Sequence, residues 1–179
     1  MDYTLMLCFE EAVESEFKSI VESIAQSGLS SYLVDVGVPP HLSLACFSTE
    51  DIEPIIDEMD KQTTMLKTGS IAWPALGFFT PHTLFAAAVL NEYLLNACIW
   101  ANSIVEPFST AGENGFYLPY NWIPHTSLAM QLDDDRLQKA TAIAMRQFSF
   151  IRGKSNRLKL VAYKYTPYQE IKTWNLENG

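Results

Sequence analysis

The feature that most constrains this chain is a phrase it contains twice. PPHLSLACF fills residues 39–47 and IPHTSLAM fills residues 123–130. Each carries a proline, a histidine, a serine two places on, and then leucine. The surroundings repeat as well. TLMLCF begins at Thr4 and TLFAAAVL at Thr83; each is strand-like and is followed by a helical pattern, a loop and one of the two phrases. Thr4 to Thr83 is 79 residues and His41 to His125 is 84, so the offset is nearly constant, with five residues of loop slack. Two copies at so long a period do not make a solenoid. They predict an α+β fold of two pseudosymmetric β-α-β-type lobes, whose antiparallel sheets face each other across a central groove. All 179 residues then form one domain, with repeat A over about 1–80, repeat B over about 81–179, and room for strand exchange between the lobes.

Hydrophobic periodicity supplies the elements. Strands are expected over 3–9, 41–47, 83–90, 125–132, 157–165 and 170–176, with 69–79 extended. Pro74 inside that last segment implies a bulge or an edge position, and 80–82 is a turn that makes a hairpin with 83–90. Thr166–Pro167 is the turn between the last two strands. Helices are expected over 10–27, where Val13, Phe17, Ile20, Val21 and Ile24 fall on one stripe, from 48–51 onward, over 92–108 with Leu95, Cys98, Ile99, Asn102 and Val105 on one side, and over 133–148. The last opens on three aspartates, which suit the positive end of a helix. Residues 30–40 read as a loop or a weakly signalled extended segment, and 109–122 as a long loop.

Charge bounds the partners. The net charge is −9, with 13 acids and one base in residues 1–60 but nine bases and two acids in residues 136–179. Overall acidity disfavours non-specific binding to long nucleic acid, which needs many phosphate contacts. A small phosphate held in a cleft remains compatible, and Arg152, Lys154 and Arg157 are basic groups that meet a phosphate or are simply solvated. No basic n-region with a long apolar stretch opens the chain, and the longest apolar run, 84–90, is too short to span a bilayer. The expectation is a cytoplasmic protein without membrane contact. Cys8, Cys46 and Cys98 are odd in number, widely spaced and set in apolar segments, which predicts buried thiols.

Along a strand alternate side chains share a face, so His41 and Ser43 point one way and His125 and Ser127 likewise, each pair roughly 6–7 Å apart. Two such faces meeting across a groove offer two imidazoles and two hydroxyls to one anion. That set suits phosphoester chemistry by general acid–base catalysis. One neutral imidazole takes a proton from the attacking oxygen, the protonated one gives a proton to the leaving oxygen, and the hydroxyls hydrogen-bond the non-bridging oxygens. A two-histidine metal site is the rival, but such sites recruit a third ligand and neither tetrapeptide holds a carboxylate or a thiol. His82 also follows a proline, yet its hydroxyl neighbour is one place on and so on the opposite face; it is read as structural or solvent-exposed.

Duplicated tetrapeptides His41-Leu42-Ser43-Leu44 and His125-Thr126-Ser127-Leu128, on this element order, resemble those of the two-histidine (2H) phosphoesterase superfamily. That superfamily includes 2′–5′ RNA ligase-like proteins, RNA 2′,3′-cyclic phosphodiesterases and 2′,5′-oligoadenylate phosphodiesterases. The resemblance implies His41 and His125 as the catalytic pair and Ser43 and Ser127 as phosphate ligands, with no metal and no cofactor. The substrate implied is a small nucleotide or short RNA: a 2′,3′-cyclic phosphate or a 2′–5′ linked oligonucleotide, with 2′–5′ ligation as the reverse reaction. Thr126 departs from the pattern, being polar where an apolar residue is usual; it is expected on the buried side with a backbone hydrogen bond. Tyr117, Tyr120 and Trp122, in the loop before His125, and Tyr32, in the loop before His41, are candidates for base stacking or for covering the core. The alternative function is a non-catalytic module that binds a nucleotide in the same groove.

Overall fold

A computed structural model of the chain describes residues 1–162 and 168–178. In chain order the elements are β1 (Asp2–Phe9), α1 (Glu11–Gln26), α2 (Tyr32–Val36), β2 (His41–Ser48), α3 (Glu53–Gln62), β3 (Ser70–Trp73), β4 (Ala75–Phe79), β5 (Thr83–Ala87), α4 (Glu92–Val105), β6 (Thr110–Ala111), β7 (His125–Ala129), α5 (Asp134–Gln147), β8 (Ile151–Ala162) and β9 (Gln169–Asn175). They build two antiparallel sheets. The larger runs β3-β8-β1-β2-β6, with β9 also paired to β8; the smaller runs β4-β5-β7.

The connectivity crosses between the sheets. β8, far along the chain, lies beside β1 in the sheet that holds the first phrase, and β4 lies beside β5 in the sheet that holds the second. Pro74 marks one crossing. Trp73 is the last residue of β3 in the large sheet and Ala75 the first of β4 in the small one. Proline has no N–H to give to a ladder, so the extended run expected over 69–79 is cut there into two strands of different sheets.

The first helix buries the stripe that periodicity marks. α1 buries Val13, Phe17, Ile20 and Ile24 and packs on α5, β7 and β8. α5 starts where Asp133 accepts a hydrogen bond from the Arg136 N–H (2.9 Å), a side-chain cap of the kind that starts helices. Phe9, Phe17 and Trp73 meet edge-on at the centre of the core, with ring centroids 4.8 Å apart for Phe9–Trp73 and 5.2 Å for Phe17–Trp73. All three cysteines are buried and free, and burial pushes each thiol up to about 12.

Several elements differ from the sequence expectation. Residues 30–40 contain the single-turn helix α2, too short to show a period, closed by Gly37 at φ 71°. The helix expected from 48–51 begins at Glu53, because β2 runs through Ser48 and Asp51 instead accepts from the Glu53 N–H. α4 buries Leu94, Ala97, Cys98, Ala101, Ile104 and Val105. Its buried face is thus rotated from the Leu95–Ile99 side toward small residues, which let the helix lie close on β2. The loop over 109–122 adds the two-residue strand β6 to the edge of β2. There Gly112 passes so near β2 that a Cβ would stand 3.3 Å from the Cys46 carbonyl group. β8 begins six residues earlier than the strand expected from 157; the end of that strand and the Thr166–Pro167 turn lie outside the described residues.

Candidate active site

Each phrase begins a strand, and each proline-histidine pair sets the ring the same way. The His41 Nδ1 lies 2.8 Å from the Pro39 carbonyl oxygen, and the His125 Nδ1 lies 2.8 Å from the Ile123 carbonyl oxygen. A carbonyl can only accept, so Nδ1 carries the proton in both rings. Nε2 is the nitrogen each ring is left with to offer a ligand. The residue before a proline is held extended, which suits a carbonyl two places back meeting the imidazole.

A β-bulge sits directly after each serine. In the β1–β2 ladder Leu5 pairs with Ala45 and Met6 with Ser43, so Leu44 is the extra residue. In the β5–β7 ladder Leu84 pairs with Ala129 and Phe85 with Ser127, so Leu128 is the extra residue. Bulges bend a strand and re-aim the side chains beyond them. After Leu44 the alternation shifts by one: Cys46 joins His41 and Ser43 on the groove side while Phe47 goes into the core. The carbonyl of the bulged Leu44 is taken up by the Asn102 side chain (Nδ2 to O, 3.1 Å), which also donates to the Tyr117 carbonyl (3.1 Å). One amide on α4 therefore ties the bulge to the loop that closes the site.

The strands β2 and β7 lie against one another, and a cavity of about 220 Å³ opens between them. His41, Ser43, His125 and Ser127 all line it, as do Tyr32 and Tyr117. All four tetrapeptide side chains are half-buried. Burial lowers the His41 imidazole to about 4 against the Pro39 hydrogen bond, and the nearby His125 charge lowers it too. Burial also lowers His125, with the Ile123 hydrogen bond opposing. Burial therefore favours two neutral rings near neutrality. Burial pushes the Tyr117 phenol up, with Ser43 opposing. The two histidines differ in one respect. Phe79 (4.8 Å, edge-on), Phe85 (5.1 Å) and Tyr117 (6.2 Å) surround the His125 ring.

Of the four stacking candidates, Tyr32 and Tyr117 line the cavity. Trp122 does not: it is 6% exposed and packed in the main core, its indole closing a neighbouring cavity. Tyr120 does not line the cavity either; it stands 83% exposed at φ 70°. Thr126 is buried as expected, but its partner is the Trp73 indole N–H (3.2 Å) and not the backbone. His82 is exposed, with Nδ1 donating to the Leu132 carbonyl (3.0 Å). Arg157 is held by the buried carboxylate of Glu14 and by the Phe9 carbonyl, and Arg152 lies over the Phe150 ring; neither they nor Lys154 lines the cavity. Several lining residues escaped the sequence reading, among them Glu113 and Tyr168. Glu113 sits in a loop with no periodic signal, and Tyr168 enters beside Met6, Cys8 and Val161 on the groove face of the large sheet. Among the described residues no group of three or more His, Cys, Asp or Glu is placed to hold a metal ion, and no helix is long and apolar enough to cross a membrane.

No protein-family model and no curated protein matches the sequence. The fold does match solved structures. The chain is similar to TT0787 of Thermus thermophilus at 17% identity and a TM-score of 0.61, over 99% of each chain. It is similar to E. coli LigT in complex with 3′-AMP at 11% identity and a TM-score of 0.59, over 97% of each chain. A phosphoesterase structure matches at 12% identity and a TM-score of 0.56, over 99% of each chain. LigT has also been solved with phosphate, ATP and NADP+. At these identities the likeness establishes a shared fold over nearly the full length of the chains compared.

Proposed function

We propose that this chain is a two-histidine phosphoesterase: a metal-independent phosphodiesterase acting on a small RNA-derived substrate. The observation that carries the reading is the pair of imidazoles, each with Nδ1 bound to the carbonyl two residues before it, lining one cavity with Ser43 and Ser127. The shared fold with E. coli LigT, solved with 3′-AMP and with phosphate, supports a nucleotide ligand.

The chemistry follows from the proton inventory. Burial lowers both imidazoles, which favours neutral rings near neutrality. A phosphodiester brings one negative charge between them, which raises both imidazoles and protonates one. The neutral Nε2 then accepts a proton from the attacking water or hydroxyl, and the protonated ring gives its Nε2 proton to the departing oxygen. Ser43 and Ser127 donate to the non-bridging oxygens. Acid–base assistance of this kind contributes on the order of 10²–10⁴-fold. The same groups serve ligation in reverse.

Purified protein in EDTA, given adenosine 2′,3′-cyclic phosphate and adenylyl dinucleotides, is expected to release product with a bell-shaped pH–rate profile. His41→Ala and His125→Ala are each expected to lose at least about 10²-fold in kcat while keeping the wild-type circular dichroism. Wild-type turnover in either variant, or turnover that EDTA abolishes, sinks the proposal.

A further inference from the structure

Glu113 is out of place in a groove for an anion. Among the described residues that line the cavity it is the one carboxylate, and no Lys or Arg stands beside it. A fixed negative charge near a phosphodiester opposes binding unless it meets a donor on the same ligand. The loop nevertheless holds it there. The Gly112 N–H donates to the Cys46 carbonyl (2.9 Å), and the Phe116 N–H donates to the Glu113 carbonyl (3.0 Å). Glu113 and Asn114 have φ of 47° and 53°, a region that residues other than glycine seldom adopt and that gathers at functional sites. Besides burial, the Glu113 charge raises the Cys46 thiol and the Tyr117 phenol, so the carboxylate acts on that end of the cavity.

Ser43 and Cys46 both face the groove from β2. At about 3.3 Å per residue, less the shortening at the bulge, they stand roughly 7–10 Å apart along the strand. That is the reach of a nucleotide from its phosphate to the far edge of its base. In a 2′,3′-cyclic phosphate the ribose diol is taken up by phosphorus, so the base edge or the 5′ oxygen is what meets Glu113. The Tyr117 ring gives the same wall a flat surface on which any base can stack. The edge decides which base. An ionised carboxylate only accepts, and its two oxygens have about four lone-pair sites, enough for two donors beside what it already contacts. On their pairing edges adenine and cytosine set one amino donor next to a ring-nitrogen acceptor, and uracil sets one N–H between two carbonyls. Guanine alone sets two donors side by side, N1–H and the 2-amino group. Its O6, next to them, can accept from a hydroxyl, and the Thr4 hydroxyl lines this end of the cavity, 3.4 Å from the Cys46 sulfur. Resting on the phosphodiesterase reading above, we infer that Glu113 selects the base, and that the preferred substrate carries guanine on the nucleoside whose phosphate lies between the histidines.

The test compares kcat/KM for the 2′,3′-cyclic phosphates of guanosine, inosine, adenosine, cytidine and uridine. Wild type is expected to favour guanosine over adenosine by about 5- to 150-fold, the worth of one bidentate contact to a base. Inosine, which lacks the 2-amino group, is expected to fall between them. Glu113→Gln, at an exposed position, keeps the size of the side chain but replaces one acceptor by a donor. It is expected to remove most of the guanosine-to-adenosine ratio. A wild-type ratio at or below one, or a ratio that Glu113→Gln does not move, overturns the inference while leaving the histidine chemistry standing. An equal change for all five substrates overturns it too: a fall would assign the carboxylate to the 5′ hydroxyl, and a rise to repulsion of the phosphate. If wild type turns over none of them, calorimetric affinities for guanosine and adenosine 3′-monophosphate take the place of rates. A guanosine preference that Glu113→Gln removes then supports the inference, and equal affinities or no binding overturn it.

Discussion

Acidification offers a direct reading of the groove without any substrate. His41 titrates at about 4 in the folded chain because burial disfavours its charged form, against an unfolded value of about 6.5. A depressed histidine means the unfolded chain binds more protons than the folded one, so stability falls as pH falls. The loss begins as pH drops through about 6.5, where the unfolded chain protonates, and is complete near the folded value of about 4. Between neutrality and about pH 5 the two values imply a loss of about 2 kcal/mol from this one ring, at one pKa unit to about 1.4 kcal/mol; the ring's partial exposure makes that an upper figure. The assay is urea denaturation of wild type and His41→Gln at about pH 7.5 and about pH 5. Carboxylates lose the same amount in both proteins, so the double difference isolates the imidazole. Wild type is expected to lose about 1–2 kcal/mol more than the variant. Phosphate at about pH 5 is expected to shrink that gap, since an anion between the rings favours the charged form. Equal acid losses in the two proteins would refute the claim that burial holds His41 neutral.

Two further substitutions probe the supports of the site. Thr126→Val leaves the Trp73 indole N–H without an acceptor in the core and is expected to cost about 1–3 kcal/mol in urea denaturation. In a Trp73→Phe background Thr126→Val should cost less, because the donor it would orphan is absent. Asn102→Ala removes the donor to the Leu44, Cys98 and Tyr117 carbonyls. It is expected to cost about 1–3 kcal/mol and to lower kcat more than it raises KM, since Asn102 positions the strand beside Ser43 without reaching the substrate. A pure stability loss with unchanged kcat would reduce Asn102 to a structural residue.

Local signals were legible in the sequence and long-range ones were not. The α1 stripe, the acidic start of α5 and the strand starts at His41 and His125 each depend on neighbours a few residues apart, and all are found at or within a residue or two of where the pattern sets them. The side of β2 on which Cys46 falls was not legible. Leu44-Ala45-Cys46-Phe47 is a continuous apolar run, and only the pairing of Leu5 with Ala45 and of Met6 with Ser43 reveals the bulge that moves Cys46 to the groove. The same holds for the stacking candidates. Tyr117 and Trp122 stand five residues apart in one aperiodic loop, yet Tyr117 lines the site and Trp122 packs in the core; the Tyr117 carbonyl is held by Asn102 from a distant helix. Glu113 and Tyr168 reach the cavity through connections that leave no periodic trace.

The bulges also bear on why the phrase reads His-x-Ser-Leu and stops there. An unbroken strand would put the residues two and four places beyond the serine in the groove as well. In β2 those are Ala45 and Phe47, and a phenylalanine there would fill the space between the lobes. Because Leu44 is an extra residue, Phe47 turns inward to stack on Tyr3, with centroids 5.8 Å apart, while the smaller Cys46 faces the cavity and meets the Thr4 hydroxyl at 3.4 Å. The second strand repeats the device at Leu128, directly after Ser127. In both strands the regular pleat lasts just long enough to set an imidazole and a hydroxyl on one face, and is then broken. The carbonyl bond at each histidine and the bulge after each serine are independent backbone features. Their joint recurrence at the two phrases is difficult to account for if the rings serve packing alone, since a packed histidine has no need of a bulge three residues on. It follows directly if both rings must present Nε2, and both serines their hydroxyls, to one shared anion.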